Sequence, residues 1–113
     1  MQPKVLKYIL DIESLIEEVE IISTKTQNNF LIFKSDIILQ RAAERQLEII
    51  GEALKKAYDL EPSLNISSIK KIIGLRNIIS HAYDSVEPEI IWGIIQKDIF
   101  ALREEIILIK NPK

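Results

Sequence analysis

The chain contains no cysteine, only three glycines and four prolines in 113 residues, and a single histidine. Without cysteine there are no disulfides, no thiolate metal sites and no cysteine nucleophile. So few glycines and prolines leave little turn-forming material, which predicts few turns and long elements. No apolar run approaches the roughly 20 residues that a membrane span requires. No charged-then-apolar leader opens the chain either, because Asp11, Glu13, Glu17, Glu18 and Glu20 load the first segment with acid. The expectation from these absences is a soluble, cytoplasmic protein with no membrane association. An excess of positive charge is missing too. Fifteen basic and 17 acidic residues leave a formal charge of −2, so any attraction for nucleic acid has to come from a local patch.

The chain is rich in apolar residues at helical spacing. The apolar fraction is 47%, with isoleucine unusually prominent, and the length suits one domain over residues 1–113 with a core of its own. Pro3 suits the start of a helix. Val5, Tyr8, Ile9, Ile12, Leu15, Ile16, Val19 and Ile22 then recur on one face, until "STKTQNN" breaks the pattern. "FLIF" is a candidate for a short extra helical turn, with Ser35 or Asp36 available to cap the next helix. A second long helix is predicted from about Asp36 to Tyr58. Its apolar arc (Ile38, Leu39, Ala42, Ala43, Leu47, Ile49, Ile50, Ala53, Leu54, Ala57) is too wide for one neighbour, so it should be the central helix. Gly51 inside it suggests a close helix approach. After a loop around Pro62, a third helix is expected from about Ser67 to His81 or Tyr83. A fourth opens at Pro88 and runs to about Ile109 along Ile91, Ile94, Ile95, Ile99, Leu102 and Ile106. Isoleucine is β-branched and favours strands, but the runs are too long and the 3.6-residue period too sustained. The fold class is all-α, an antiparallel four-helix bundle.

The chemistry concentrates in "RNIISHAY", residues 76–83, which holds the one histidine. On an ideal helix Arg76 and His81 lie about 140° apart, so one regular helix does not bring them together. One reading is structural. Arg76 runs its stem along apolar surface and pairs with Glu48 or Glu52, while His81 sits at the negative end of the helix dipole.

The other reading comes from a resemblance. "GLRNIISHAYDSV" is similar to the signature of the HEPN superfamily, its HepT-like toxins in particular: Arg, four residues, His, one residue, Tyr. "LEIIGEALKK" resembles that family's central helix, and "EIIWGIIQKDI" the opening of its last helix. The resemblance implies a HEPN-like bundle that forms a homodimer, setting two copies of the motif across a shared cleft. Residues that diverge within one chain then converge with their two-fold mates.

It also implies a toxin that cleaves RNA endonucleolytically, without cofactor or metal. His81 is the side chain suited to proton transfer near neutral pH, and two copies would supply both base and acid. Arg76 would stabilise charge on the phosphorane, and Asn77 would position His81 or a phosphate oxygen. Lys70 and Lys71 are candidate RNA contacts supplying local positive charge. The resemblance further implies a minimal nucleotidyltransferase antitoxin as partner, which attaches AMP to Tyr83. A non-catalytic HEPN module bound to a nucleotidyltransferase is the alternative. Trp92 is read as core or dimer interface, with base stacking as the other role. The charges of "RAAERQLE" are read as a solvated face of paired side chains, or as Arg41 or Arg45 contacting RNA or a partner.

Overall fold

A computed structural model describes residues 1–67, 69–74 and 87–111, and every regular element among them is helical, with no strand. Helix α1 spans Pro3–Lys25 and buries Val5, Ile9, Ile12, Ile16, Val19 and Ile22. These are six of the eight residues of the predicted stripe; the other two, Tyr8 and Leu15, are half-buried beside them. The helix continues through Ser23 and Thr24 and stops at Thr26, whose buried hydroxyl donates back to the Ile22 carbonyl at 2.9 Å. Gln27 and Asn28 come next in the left-handed region, at φ 55° and 54°, which turns the chain.

The short helical turn between the first two long helices is α2, Phe30–Ser35, capped by the Asn29 side chain accepting from the Leu31 amide at 2.9 Å. Asp36 both ends α2 and caps α3, Ile37–Leu60, accepting from the Leu39 amide at 3.1 Å. Of the two candidate caps, it is therefore Asp36 that serves. Gln40, one turn into α3 and buried, donates to the carbonyls of Phe33 and Lys34 at 2.9 Å each, satisfying the end of α2 from its neighbour.

Helix α3 packs on α1, α2 and the first part of the last helix, the central position its wide apolar arc predicts. Ala43, Leu47, Ile50, Ala53, Leu54 and Ala57 are its core face, and Gly51 is buried beside them. Ile38 departs from the expectation: counted in the apolar arc, it is 73% exposed, while its neighbour Leu39 packs against the core. Helix α4, residues 69–74, carries the fully buried Ile72 between the half-buried Ile69 and Ile73.

The fourth predicted helix is one continuous path with an interruption in its hydrogen-bond ladder: α5 (Pro88–Gly93), a π-helical turn (Ile94–Asp98) and α6 (Ile99–Lys110). Ile91, Ile94, Ile95, Ile99, Leu102 and Ile106 are buried along it, each a core isoleucine or leucine contributing about 1.5–3 kcal/mol of burial. Trp92 is half-buried, its ring 5.2 Å from Phe33 and 6.0 Å from Phe30, so it is a packing residue joining α2 to α5. Among the described residues, no helix is long and apolar enough to cross a membrane.

Gly93, at the junction with the π turn, yields a direct test of the helix. It is exposed, has helical dihedrals (φ −59°, ψ −40°), and a Cβ built there meets no atom within 4 Å. Gly93→Ala should therefore stabilise the fold by about 0.5–1 kcal/mol through reduced backbone entropy in the unfolded chain. A urea midpoint that rises at unchanged slope is the expected result; a fall would mean that the π turn needs glycine there.

Candidate functional site

Arg76, Asn77, His81 and Tyr83 lie outside the described residues, as does any pairing of Arg76 with Glu48 or Glu52. The surroundings that lead into and out of the motif are described. Helix α4 is described up to residue 74, two residues before Arg76, and α5 begins at Pro88, five residues after Tyr83.

Two polar contacts attach the α4 side of this region to the last helix. At its beginning, the Ser67 amide donates to Glu105 Oε2 at 2.7 Å and the Ser67 hydroxyl to Glu105 Oε1 at 3.1 Å. Four residues on, Lys71 Nζ lies 3.0 Å from Asp98 Oδ2. Asp98 closes the π turn and its side chain is only 10% exposed, whereas Lys71 is 57% exposed. The lysine thus reaches inward from solvent to a carboxylate held in the core face. Of the two lysines read as candidate RNA contacts, Lys70 is exposed with no ion pair among the described residues, while the charge of Lys71 is opposed by Asp98.

Neither Asp98 nor Glu105 stands out as a site residue in the sequence. The available signal is an acid inside an isoleucine stripe: Asp98 falls between Ile95 and Ile99, where a regular apolar face has no place for a charge.

The charges of α3 also differ from the sequence reading. Arg41 pairs with Glu44 at 3.3 Å and Arg45 with Glu48, both three residues apart. The arginines are exposed, but Glu44 is buried at 8% exposure and its Oε1 has no hydrogen-bond partner among the described residues. The face is therefore not uniformly solvated. It is a row in which exposed arginines cover buried or half-buried glutamates.

Between α1 and α6 the surface offers little to a polyanion. The groove of about 280 Å³ between α1 and α6 is lined by Glu13, Glu17 and Glu20 as well as Arg103. Arg103 is paired with Glu20 at 3.4 Å, and Lys110 with Glu13 at 2.8 Å. Lys7 hydrogen-bonds Asp11, and that bond, reinforced by the carboxylate's charge, holds the ammonium above the ordinary lysine range. Among the described residues, no group of three His, Cys, Asp or Glu side chains gathers as a metal site would require.

Comparison with known proteins covers nearly the whole chain. Residues 6–109 match the family described as "Ribonuclease HepT-like". The chain is 38% identical over 103 residues to a "Putative RNase" of Caldanaerobacter subterraneus subsp. tengcongensis, covering 89% of this chain and 87% of that one. It is 31% identical over 97 residues to a "Probable ribonuclease HepT" of Thermococcus cleftensis, covering 81% and 86%. It is also 35% identical over 105 residues to a "Gamma-glutamylcyclotransferase and putative RNase" of Methanocaldococcus jannaschii; there it covers 92% of this chain but spans only 45% of the relative's length. No solved structure matches the chain.

Proposed function

From the premise that the chain belongs to the HepT-like ribonuclease family, we propose that it is a metal-independent endoribonuclease, the toxin of a toxin–antitoxin pair. The observation that carries this reading is the coincidence of two things. The family match runs from residue 6 to residue 109, and inside it stands Arg76, four residues, His81, one residue, Tyr83. The described elements are all helical, which is consistent with that family reading.

In this mechanism His81 removes the proton of the 2′-hydroxyl, which attacks the adjacent phosphorus. A second imidazole protonates the departing 5′-oxygen, giving a cyclic phosphate and a 5′-hydroxyl end. One chain has one histidine, so the second comes from the partner of a homodimer. Arg76 donates to the non-bridging oxygens as negative charge grows on the phosphorane, and Asn77 orients His81 or a phosphate oxygen. Lys70, exposed on α4, is placed in sequence to meet the RNA backbone. The test is to incubate the purified protein with RNA in EDTA beside Arg76→Ala and His81→Ala. Cleavage by the wild type that is lost in both variants is expected. An inert wild type across a wide concentration range would overturn the reading.

Regulation acts through Tyr83. A minimal nucleotidyltransferase antitoxin attaches AMP to its hydroxyl, and the added phosphate brings charge and bulk to the place an RNA phosphate needs. After co-expression with a neighbouring nucleotidyltransferase, intact mass spectrometry should show AMP adducts on the wild type and none on Tyr83→Phe. A Tyr83→Phe chain modified and neutralised like the wild type would remove this residue from the mechanism.

One observation favours a second reading, a non-catalytic module that binds a nucleotidyltransferase. The net charge is −2, and Lys71, Arg41, Arg45, Arg103 and Lys110 all have acidic partners, so much of the described positive charge is already opposed by acid. The EDTA cleavage experiment decides between the two.

A further inference from the structure

Helix α4 is short in its described part, and its packing rests on Ile72 with Ile69 and Ile73 beside it. Apolar contact of this kind is non-directional: it holds a helix against a core but tolerates sliding and rotation about the helix axis. Polar contacts restrict both, and two join this segment to the last helix: a pair of hydrogen bonds at Ser67, just before α4, and an ion pair at Lys71 that is close in distance but not aligned as a hydrogen bond. Ser67 at its beginning engages both oxygens of Glu105, and Lys71 engages Asp98. The pairs run in opposite sequence directions, 67 with 105 and 71 with 98, as two antiparallel elements require.

The acid of the second pair is placed unusually. A charged group inside an isoleucine stripe loses hydration, and it is tolerated only where a partner compensates it. Here the π turn Ile94–Asp98 inserts an extra residue into the helical path and leaves the carboxylate buried, with Lys71 reaching it at 3.0 Å. Single π turns interrupt α-helices at a cost in regularity and are frequent near functional sites. Lys71 stands five residues before Arg76 in the sequence, with α4 between them as far as residue 74.

We propose that Asp98 is a positioning residue: through Lys71, and together with the Glu105–Ser67 contact, it clamps α4 in register on the last helix and so sets the place of the Arg76–His81 motif. The proposal rests on the ribonuclease reading for its catalytic consequence, but the clamp itself has a readout independent of activity. It also reassigns Lys71, which acts through the protein's interior and not as a phosphate ligand.

The experiment compares Asp98→Asn, Lys71→Gln, their double variant and Lys71→Arg in the full-length chain, using cleavage of a single-stranded RNA. Asp98→Asn preserves shape and removes the charge; Lys71→Gln changes a mostly exposed side chain and keeps the test open if the first variant folds poorly. Each single variant is expected to lower kcat by roughly 10- to 100-fold, the scale of a displacement of about 1 Å in a reacting group. KM and its salt dependence should be unchanged. The double variant should be no worse than the poorer single one, because both remove the same link, and Lys71→Arg should recover most of kcat.

Three results would overturn the proposal. The first is a KM that rises in Lys71→Gln but not in Asp98→Asn, with a shallower salt slope, which makes Lys71 a direct phosphate contact. The second is a lowered melting temperature with full kcat per folded molecule, which makes the pair structural only. The third concerns the single imidazole of His81, whose NMR signal should move in both single variants whether or not the protein cleaves RNA. A stationary signal refutes the clamp, whereas a wild type without nuclease activity but with a signal that moves refutes the ribonuclease reading alone.

Discussion

Replacing His81 by alanine should lower RNA cleavage by at least about 10²–10⁴-fold, the usual contribution of one positioned proton-transfer group. Arg76→Ala should cost roughly 10²–10³-fold, the loss expected when one donor to a developing oxyanion is removed. Arg76→Lys should recover only part, since a point charge cannot reproduce the planar two-donor fork. The pH profile comes from having the same residue type in both roles. On the acid side the base imidazole is protonated and cannot accept a proton. On the alkaline side the acid imidazole is deprotonated and cannot give one. The rate is therefore bell-shaped with pH, and EDTA leaves it unchanged.

Mixing chains tests the shared cleft directly. If each cut needs two histidines from a homodimer, activity falls as the square of the wild-type fraction when His81→Ala chains are mixed in. A linear fall would mean that one histidine suffices, and a requirement for magnesium would exclude the mechanism altogether.

How far the sequence discloses this protein depends on which kind of interaction is asked about. The helices are legible because burial keeps to a period: Val5, Ile9, Ile12, Ile16, Val19 and Ile22 are predicted as one face and are buried as one face. Asp36 is legible as a cap because its short carboxylate reaches an amide three residues on, a local bond that sequence neighbours alone decide. Three features resist for a common reason.

Ile38 is apolar in pattern yet 73% exposed, since the side of α3 covered there is that of its neighbour Leu39. Glu44 reads as a surface charge yet is buried, because α3 is covered on more than one side. Asp98 finds its partner 27 positions earlier, a pairing that exists only once α4 lies on the last helix. The π turn leaves no trace in the spacing: Ile91, Ile95 and Ile99 are spaced by four, but so are Ala43, Leu47 and Gly51, which are buried along the regular helix α3. The motif itself is legible only as a resemblance. An arginine and a histidine about 140° apart on one helix have no joint chemistry until a second copy is supposed.

The largest expected loss of stability is at Phe33. It is fully buried on α2, the short helix between the two long ones that begin the chain, and its ring lies 5.2 Å from Trp92 at a 38° tilt. Its backbone carbonyl is also occupied, accepting from Gln40 Nε2 at 2.9 Å and from the Asp36 amide at 3.1 Å. Phe33→Ala leaves those backbone bonds possible but empties the space between α2, α3 and α5, where α2 has little other apolar anchorage. Truncations of this type cost about 3–5 kcal/mol, from lost transfer energy and an unfilled cavity.

Against the roughly 5–15 kcal/mol that stabilises a domain of this size, such a loss is enough to unfold a substantial fraction of a marginal protein at growth temperature. Phe33→Leu keeps most of the volume and should cost markedly less. Leu31, two residues away but 71% exposed, provides the control: Leu31→Ala should change stability by no more than about 0.5 kcal/mol. Urea denaturation at constant slope measures all three. A Phe33→Ala midpoint within about 1 kcal/mol of the wild type would mean that α2 is dispensable to the core, and that Trp92 is held by the last helix alone.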